Sequence, residues 1–253
     1  MTLSAGLAAL AGDGRESRIV VAALAALTLI SWAYLWLAPM PMPASSGGLR
    51  TPNYAAFTFA MWFVMMVGMM TPSAAPTLLL FDRIQRSSGV PDASIRTALF
   101  LAGYLCVWSI FSVVATLLQI ELIELGWIDD MAVTTRRSVT ALVLLGAGLY
   151  QWLPLKRACL DHCRSPAEFI FMHRRPGRSG AWTMGLHHGV HCLGCCWVLM
   201  LLLFVGGVMN LLWVAAITAL VLVEKVLMRG AWMRHAIGIA CVLVAGVIAA
   251  GTF

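Results

Sequence analysis

The chain has 253 residues, 61% of them hydrophobic and only 11% charged, with a formal net charge of +6 and a mean hydropathy of +0.88. Soluble globular domains carry about 25% charged residues, so this composition excludes a soluble enzyme or nucleic-acid-binding module. Apolar runs near the roughly 20 residues needed to cross a hydrocarbon core recur along the chain and leave no polar stretch long enough for a separate soluble domain.

Residues 1–18 read as a short cytoplasmic N-terminal tail. They lack the basic, apolar and small-residue succession of a signal peptide. Residues 19–253 read as a single transmembrane domain. The fold class is all-α, a polytopic membrane helical bundle of about seven transmembrane helices at 19–38, 54–81, 96–119, 138–153, 188–209, 211–228 and 236–252. Six spans with one re-entrant piece stay open, because the fourth run is short and only Met209-Asn210 separates the fifth from the sixth.

Taken in order, the first span leads into APMPMPASS, where Met40 and Met42 offer a weak external metal contact. The second carries Met61, Met65, Met66, Met69 and Met70 ahead of Pro72 and Pro76. Thioethers are soft ligands that bind Cu(I) weakly, so Met65, Met66, Met69 and Met70 read either as a metal path or as packing in a kinked helix. Cys106 in the third span and Cys241 in the seventh stand alone and read as small apolar residues. Segment 121–137 holds Glu121, Glu124, Asp129 and Asp130. Segment 154–184 reads as the longest and most basic loop, set against anionic headgroups. In the sixth span, Lys225 reads as a snorkelling cation. Glu224 reads as a buried carboxylate that orients a ligand histidine or takes a proton released by a thiol.

Basic residues alternate between connections. Arg15, Arg18, Arg83, Arg86, Arg96, Lys156, Arg157, Arg164, Arg174, Arg175, Arg178, Lys225, Arg229 and Arg234 fall in one set, against Arg50, Arg136 and Arg137 in the other. The positive-inside rule makes the first set cytoplasmic, so the N-terminus is inside and the C-terminus outside.

Five of the seven cysteines and four of the six histidines fall in two bursts: Cys159, His162 and Cys163, then His187, His188, His191, Cys192, Cys195 and Cys196. On a helix the second burst occupies one half of the circumference. His188 and Cys195 are nevertheless about 10 Å apart along the axis, so one ion cannot take every ligand from that helix. Cys159 and Cys163, four residues apart and facing the same way, supply the second element. Thiolates from both, with an imidazole as an option, suit Cu(I) first and Zn(II) second. The expected ligands are Cys159, Cys163, His188, His191, Cys192, Cys195 and Cys196, with His162, His187 and Glu224 in support. His173 and His235 read as interfacial cations or caps. The seven cysteines are an odd count with none in an external connection, which favours metal ligation or redox chemistry over a structural disulfide framework.

The patterns Trp62-x-x-Met65-Met66-x-x-Met69-Met70-x-Pro72, Tyr150-Gln151-x-x-Pro154-x-Lys156-x-x-Cys159-x-x-x-Cys163-Arg164-x-Pro166 and Gly189-x-x-Cys192-x-Gly194-Cys195-Cys196-Trp197 go together with Gly206-Gly207-x-Met209-Asn210 and Glu224-Lys225. Over residues 55–228 the chain resembles a domain-of-unknown-function family of predicted metal-binding integral membrane proteins. That resemblance implies a helical membrane fold and metal binding.

The expected function is a membrane protein that holds a soft metal at a cytoplasmic-side Cys/His site for transfer, insertion or homeostasis. Metal movement is passive, ion-coupled or assisted by a partner, since there is no nucleotide-binding motif and no Asp-Lys-Thr-Gly phosphorylation sequence. Metal-donor or acceptor proteins and a second copy of the chain are the expected protein partners, nucleic acid is not, and a bacterial inner membrane is the expected location. The rival readings are a membrane thiol oxidoreductase using Cys192-x-x-Cys195, a structural zinc site in an assembly factor, and a di-iron oxygenase for which six histidines are few.

Overall fold

A computed structural model of the chain describes residues 15–37, 48–227 and 231–251. Within them every regular element is a helix, apart from an isolated bridge between Ile128 and Thr134. The tail up to residue 14, Met40, Met42 and Arg229 lie outside the described residues. The helices are α1 (Arg15–Leu37), α2 (Pro52–Ser87), α3 (Ala93–Glu124), α4 (Arg137–Tyr150), α5 (Pro154–Arg164) and α6 (Pro166–Met172). They continue with α7 (Gly177–Leu201), α8 (Leu203–Gly206), α9 (Leu211–Leu222), a π-helical turn (Val223–Leu227) and α10 (Ala231–Ala249). Five helices, α1, α2, α3, α7 continued by α8, and α10, are long and apolar enough to cross a membrane. The α4–α5 pair makes a sixth if it is one broken span. α9 and the π turn together run from Leu211 to Leu227, matching the expected sixth run, at the short end of the lengths that span a membrane.

Two expectations need correction. The short fourth run ends close to the expected residue 153, with α4 stopping at Tyr150, but the chain does not enter a loop there. It bends by 64° and continues as α5. Pro154 stands at the first position of α5 and Pro166 at that of α6, where a missing N–H costs nothing and the fixed φ suits a helix. Segment 154–184 is therefore largely helical, not a loop. The fifth run starts at Gly177, 11 residues before the expected 188. Its opening turns carry Arg178 and Thr183, so hydropathy alone placed the boundary too late.

Close approach of α3 and α7 organises the interior. A side chain at Gly189 would place its Cβ 2.8 Å from Val107 Cγ2, and one at Gly185 would collide with the Phe100 carbonyl. Small residues spaced by four let helix backbones touch, the usual device where lipid offers no hydrophobic drive between helices. α5 packs on α7, α10 on α4, and α2 on both α1 and α3. Met65, Met66, Met69 and Met70 of α2 are at most 1% exposed.

The segments separated by charge fall at opposite ends of the bundle. At one end, Arg50 binds Glu124 at 2.5 Å and Glu121 at 3.3 Å, and Thr134 N–H donates to the Phe204 carbonyl. At the other, Arg178 binds Asp92 at 3.0 Å and Arg86 donates to Ser94. The Arg178 guanidinium holds the Asp92 carboxyl below its ordinary range.

Candidate metal centre

The bend between α4 and α5 turns the first burst back against α7. Tyr150, the last residue of α4, donates its hydroxyl to the Gly194 carbonyl and packs edge-on against Trp197 at 5.6 Å. Nine residues later, within α5, Cys159 lies against Gly194, where an added Cβ would stand 2.6 Å from its sulfur. A further turn brings Cys163 Sγ to 4.0 Å from Cys195 Sγ. The expected meeting of the two bursts is thus present, with Cys163 as the residue in contact and Cys159 displaced toward Gly194.

Cys192, Cys195 and Cys196 are at most 2% exposed. The thiols of Cys195 and Cys196 both donate to the Cys192 carbonyl at 3.0 Å. Cys192 lies 15 residues into α7, about 22 Å along its axis, so the cluster sits past the middle of the helix rather than in its first turns. The expected span start at 188 had put it near an end.

Around the thiols stand groups that the sequence reading missed or placed elsewhere. Lys225 does not snorkel: it is 6% exposed, with Nζ 2.8 Å from Cys192 Sγ and 3.8 Å from Cys196 Sγ. Glu224 does not orient a histidine: its carboxylate is 2.9 Å from Lys156 Nζ, and its backbone carbonyl accepts two bonds from Arg164. Lys156 and Glu224 are both almost fully buried. The π turn that carries Glu224 and Lys225 is a rare conformation found often at functional sites, and it presents two consecutive side chains to the interior. Tyr104 of α3 donates to the Met70 carbonyl and lies 3.1 Å from Cys192 Sγ. Met70 Sδ is 4.0 Å from Cys196 Sγ, and Met65, Met66 and Met69 are buried farther along the same helix. A lysine in a span and a tyrosine in an apolar run were the available signals for these two, since each needs a polar partner when buried.

His188, one turn before Cys192, is buried against Phe100, Tyr104 and Phe169, and its Nδ1 has no hydrogen-bond partner. His191 turns the other way and stacks on His162 at 4.4 Å, and His187 lies 5.4 Å from His173. Cys106 and Cys241 are half-buried free thiols. Among the described residues no three His, Cys, Asp or Glu side chains stand ready to enclose one ion. The thiols can serve as pairs. With metal–sulfur bonds of about 2.3 Å, two sulfurs on a shared ion lie about 3.8 Å apart in a tetrahedron and about 4.6 Å apart in line. The 4.0 Å separation of Cys163 and Cys195 falls between these limits. A cavity of about 220 Å³ lined by Ser73, Pro76, Cys163, Arg164, Pro166 and Lys225 reaches the same place.

A family model described as PpoB2, a copper chaperone, matches residues 59–248, and the chain belongs to that family. The matched stretch contains all seven cysteines, the methionines of α2 and the Glu224-Lys225 pair. No curated protein and no solved structure matches the chain.

Proposed function

We propose that this copper chaperone family member carries Cu(I) as cargo between Cys163 and Cys195, inside a membrane-embedded helical bundle, and passes it to an acceptor protein. The observation that carries this reading is the 4.0 Å approach of two thiols from separate helices, a spacing that accepts a shared ion without moving either backbone.

Charge supports the same metal. When Cu(I) replaces the protons of two thiols, two protons leave and the complex carries −1. A buried charge of that kind is costly unless it is paired, and the Lys225 ammonium stands at the cluster to pair it. Zn(II) on the same two thiolates is neutral and leaves the ammonium uncompensated. Cys192 and Cys196 extend the pair, so the ion can exchange one sulfur for another without entering water. Met70, with Met65, Met66 and Met69 beyond it, offers weaker sulfur along α2. The cavity at Cys163 and Lys225 gives the ion a way in or out.

The charge alternation assigns the Asp92 and Arg178 end of the bundle to the cytoplasm, with the exposed Arg157, Arg174, Arg175 and Arg178 near anionic headgroups and a bacterial inner membrane as the setting. Anaerobic purification with copper analysis tests the site. Changing Cys163 and Cys195 together to serine should remove the sulfur-bound Cu(I), because a hydroxyl does not replace a thiolate for a soft ion. Changing Cys106 and Cys241 should leave it. Full copper retention in the first variant sinks the reading.

A further inference from the structure

Outside the thiol cluster, histidine side chains gather around Phe169 where α5, α6 and α7 meet. His162 of α5 stacks on His191 of α7 with ring centroids 4.4 Å apart. His173, at the end of α6, stands 6.2 Å from His162, 6.0 Å from His191 and 5.4 Å from His187. Phe169 lies 4.8 Å from His173 and 6.2 Å from His191. His173 is therefore not a solitary interfacial cation. The fold of segment 166–173 delivers it to the other imidazoles.

Three of these rings share one hydrogen-bonding pattern. Nδ1 of His162 lies 2.8 Å from the Ala158 carbonyl, Nδ1 of His173 3.1 Å from the Phe169 carbonyl, and Nδ1 of His191 2.8 Å from the His187 carbonyl. A carbonyl only accepts, so Nδ1 carries the proton and Nε2 of the neutral ring keeps its lone pair. Fixing the tautomer through the other ring nitrogen is how outer hydrogen bonds prepare a histidine for a metal. Core packing does not explain the group, because all four histidines are partly exposed. A single such bond is a common local contact on a helix. Three of them on three neighbouring rings leave three nitrogen lone pairs in one small region.

The lone pairs lie in the ring planes, and His162 and His191 face each other flat, so the rings form a ladder rather than a cage. A ladder does not suit an ion that needs four ligands at once. It suits Cu(I), which is content with two donors, once one ring of a pair turns about its side-chain bonds. We propose that His162, His173 and His191, with His187 at their edge, form a second copper site, an imidazole relay that holds Cu(I) by two Nε2 atoms at a time and hands it to the thiols. The hand-over rests on the thiol reading above, whereas the binding itself does not. His162 and His191 each immediately precede a cluster thiol, Cys163 and Cys192. Thiolate is the softer ligand, so the ion moves downhill from nitrogen to sulfur.

Titration of the full-length protein with Cu(I) in detergent without oxygen, followed by X-ray absorption, tests this. Two ions should bind, the first among sulfur neighbours and the second with nitrogen neighbours alone. The H162Q/H173Q/H191Q variant should lose the nitrogen-only ion and keep the sulfur-bound one. The C163S/C195S variant should do the reverse. Retention of the second ion by the histidine variant overturns the relay, as does a single ion in the unaltered protein. Loss of both ions from a histidine variant with an unchanged melting temperature also overturns it, by making the rings mere support for the thiols. If the cysteine variant keeps both ions, the thiol reading fails, while its nitrogen-only ion still supports the histidine site.

Discussion

Lys225 Nζ stands 2.8 Å from Cys192 Sγ deep in the bundle, while the adjacent Glu224 carboxylate is held by Lys156. Opposite assignments of two neighbouring charges leave the thiols with the cation. A unit charge at about 4 Å acts with about 4 kcal/mol at an effective dielectric constant of 20. Part of this is offset by the cost of burying the ammonium in the metal-free form. Lys225→Met should therefore weaken Cu(I) binding on the order of 10- to 100-fold, at about 1.4 kcal/mol per factor of ten. Competition against a soluble Cu(I) chelator measures it. Tighter binding in the variant would make Lys225 a competitor for the metal position instead of its counter-ion.

The two cysteines of α5 should differ. Cys163 faces Cys195, but Cys159 is packed on Gly194. Cys159→Ser is expected to keep the bound copper, and Cys163→Ser to lose it. The same anaerobic copper analysis decides, and equal loss in both would return Cys159 to the ligand set.

Much of this arrangement was legible in the sequence. Two bursts of soft ligands, each at helical spacing, required two helices to meet, and Cys163 and Cys195 do. Hydropathy could not reveal that α4 bends at residues 151–153 and continues as α5, because Lys156, Arg157, Asp161 and Arg164 make α5 resemble a loop. The same blindness hid the early start of α7 and put the cysteines near a helix end. Lys225 was misplaced for a related reason. One-dimensional reading sees a lysine near the end of an apolar run and sends it to water, whereas the π turn points it inward. His173 needed α6 to fold before its neighbours could be known.

The buried Lys156–Glu224 pair predicts an asymmetry in stability. Lys156→Met alone leaves a carboxylate stranded among apolar groups, which costs about 3–5 kcal/mol when one partner of such a pair is removed. Replacing both, with Lys156→Met and Glu224→Leu, should cost much less, since apolar substitutes for a whole buried pair are often tolerated. Thermal unfolding in detergent measures both variants. A double variant as unstable as the single would mean that the pair holds the π turn in place and does more than satisfy itself.

Orientation follows from which segments share an end. Thr134 lies at the end held by Arg50 and Glu124, and Ser179 lies beside Arg178 at the Asp92 end. Single cysteines introduced at these two positions should react differently with an impermeant thiol reagent in intact cells, Thr134→Cys labelling and Ser179→Cys not. The opposite pattern inverts the bundle.

The methionines of α2 separate storage from movement. Met70 touches Cys196 through sulfur at 4.0 Å, and Met65, Met66 and Met69 are buried with it in the interior. If they serve only as flexible packing, Leu replaces them at little cost, because such volume-conserving exchanges usually cost less than about 1.5 kcal/mol. If they also stage the ion, the sulfur matters, and Leu has none. Met65, Met69 and Met70 changed together to Leu should therefore leave the protein folded and the thiols loaded with copper after purification. Transfer of copper to an acceptor, followed as the rate at which preloaded protein gives up Cu(I) to a soluble copper-binding domain, should fall. The single change Met70→Leu should account for most of that fall, since its sulfur lies 4.0 Å from the cluster thiol of Cys196. An unchanged rate in the folded triple variant would confine α2 to packing, and the cavity beside Cys163 and Lys225 would then be the ion's route.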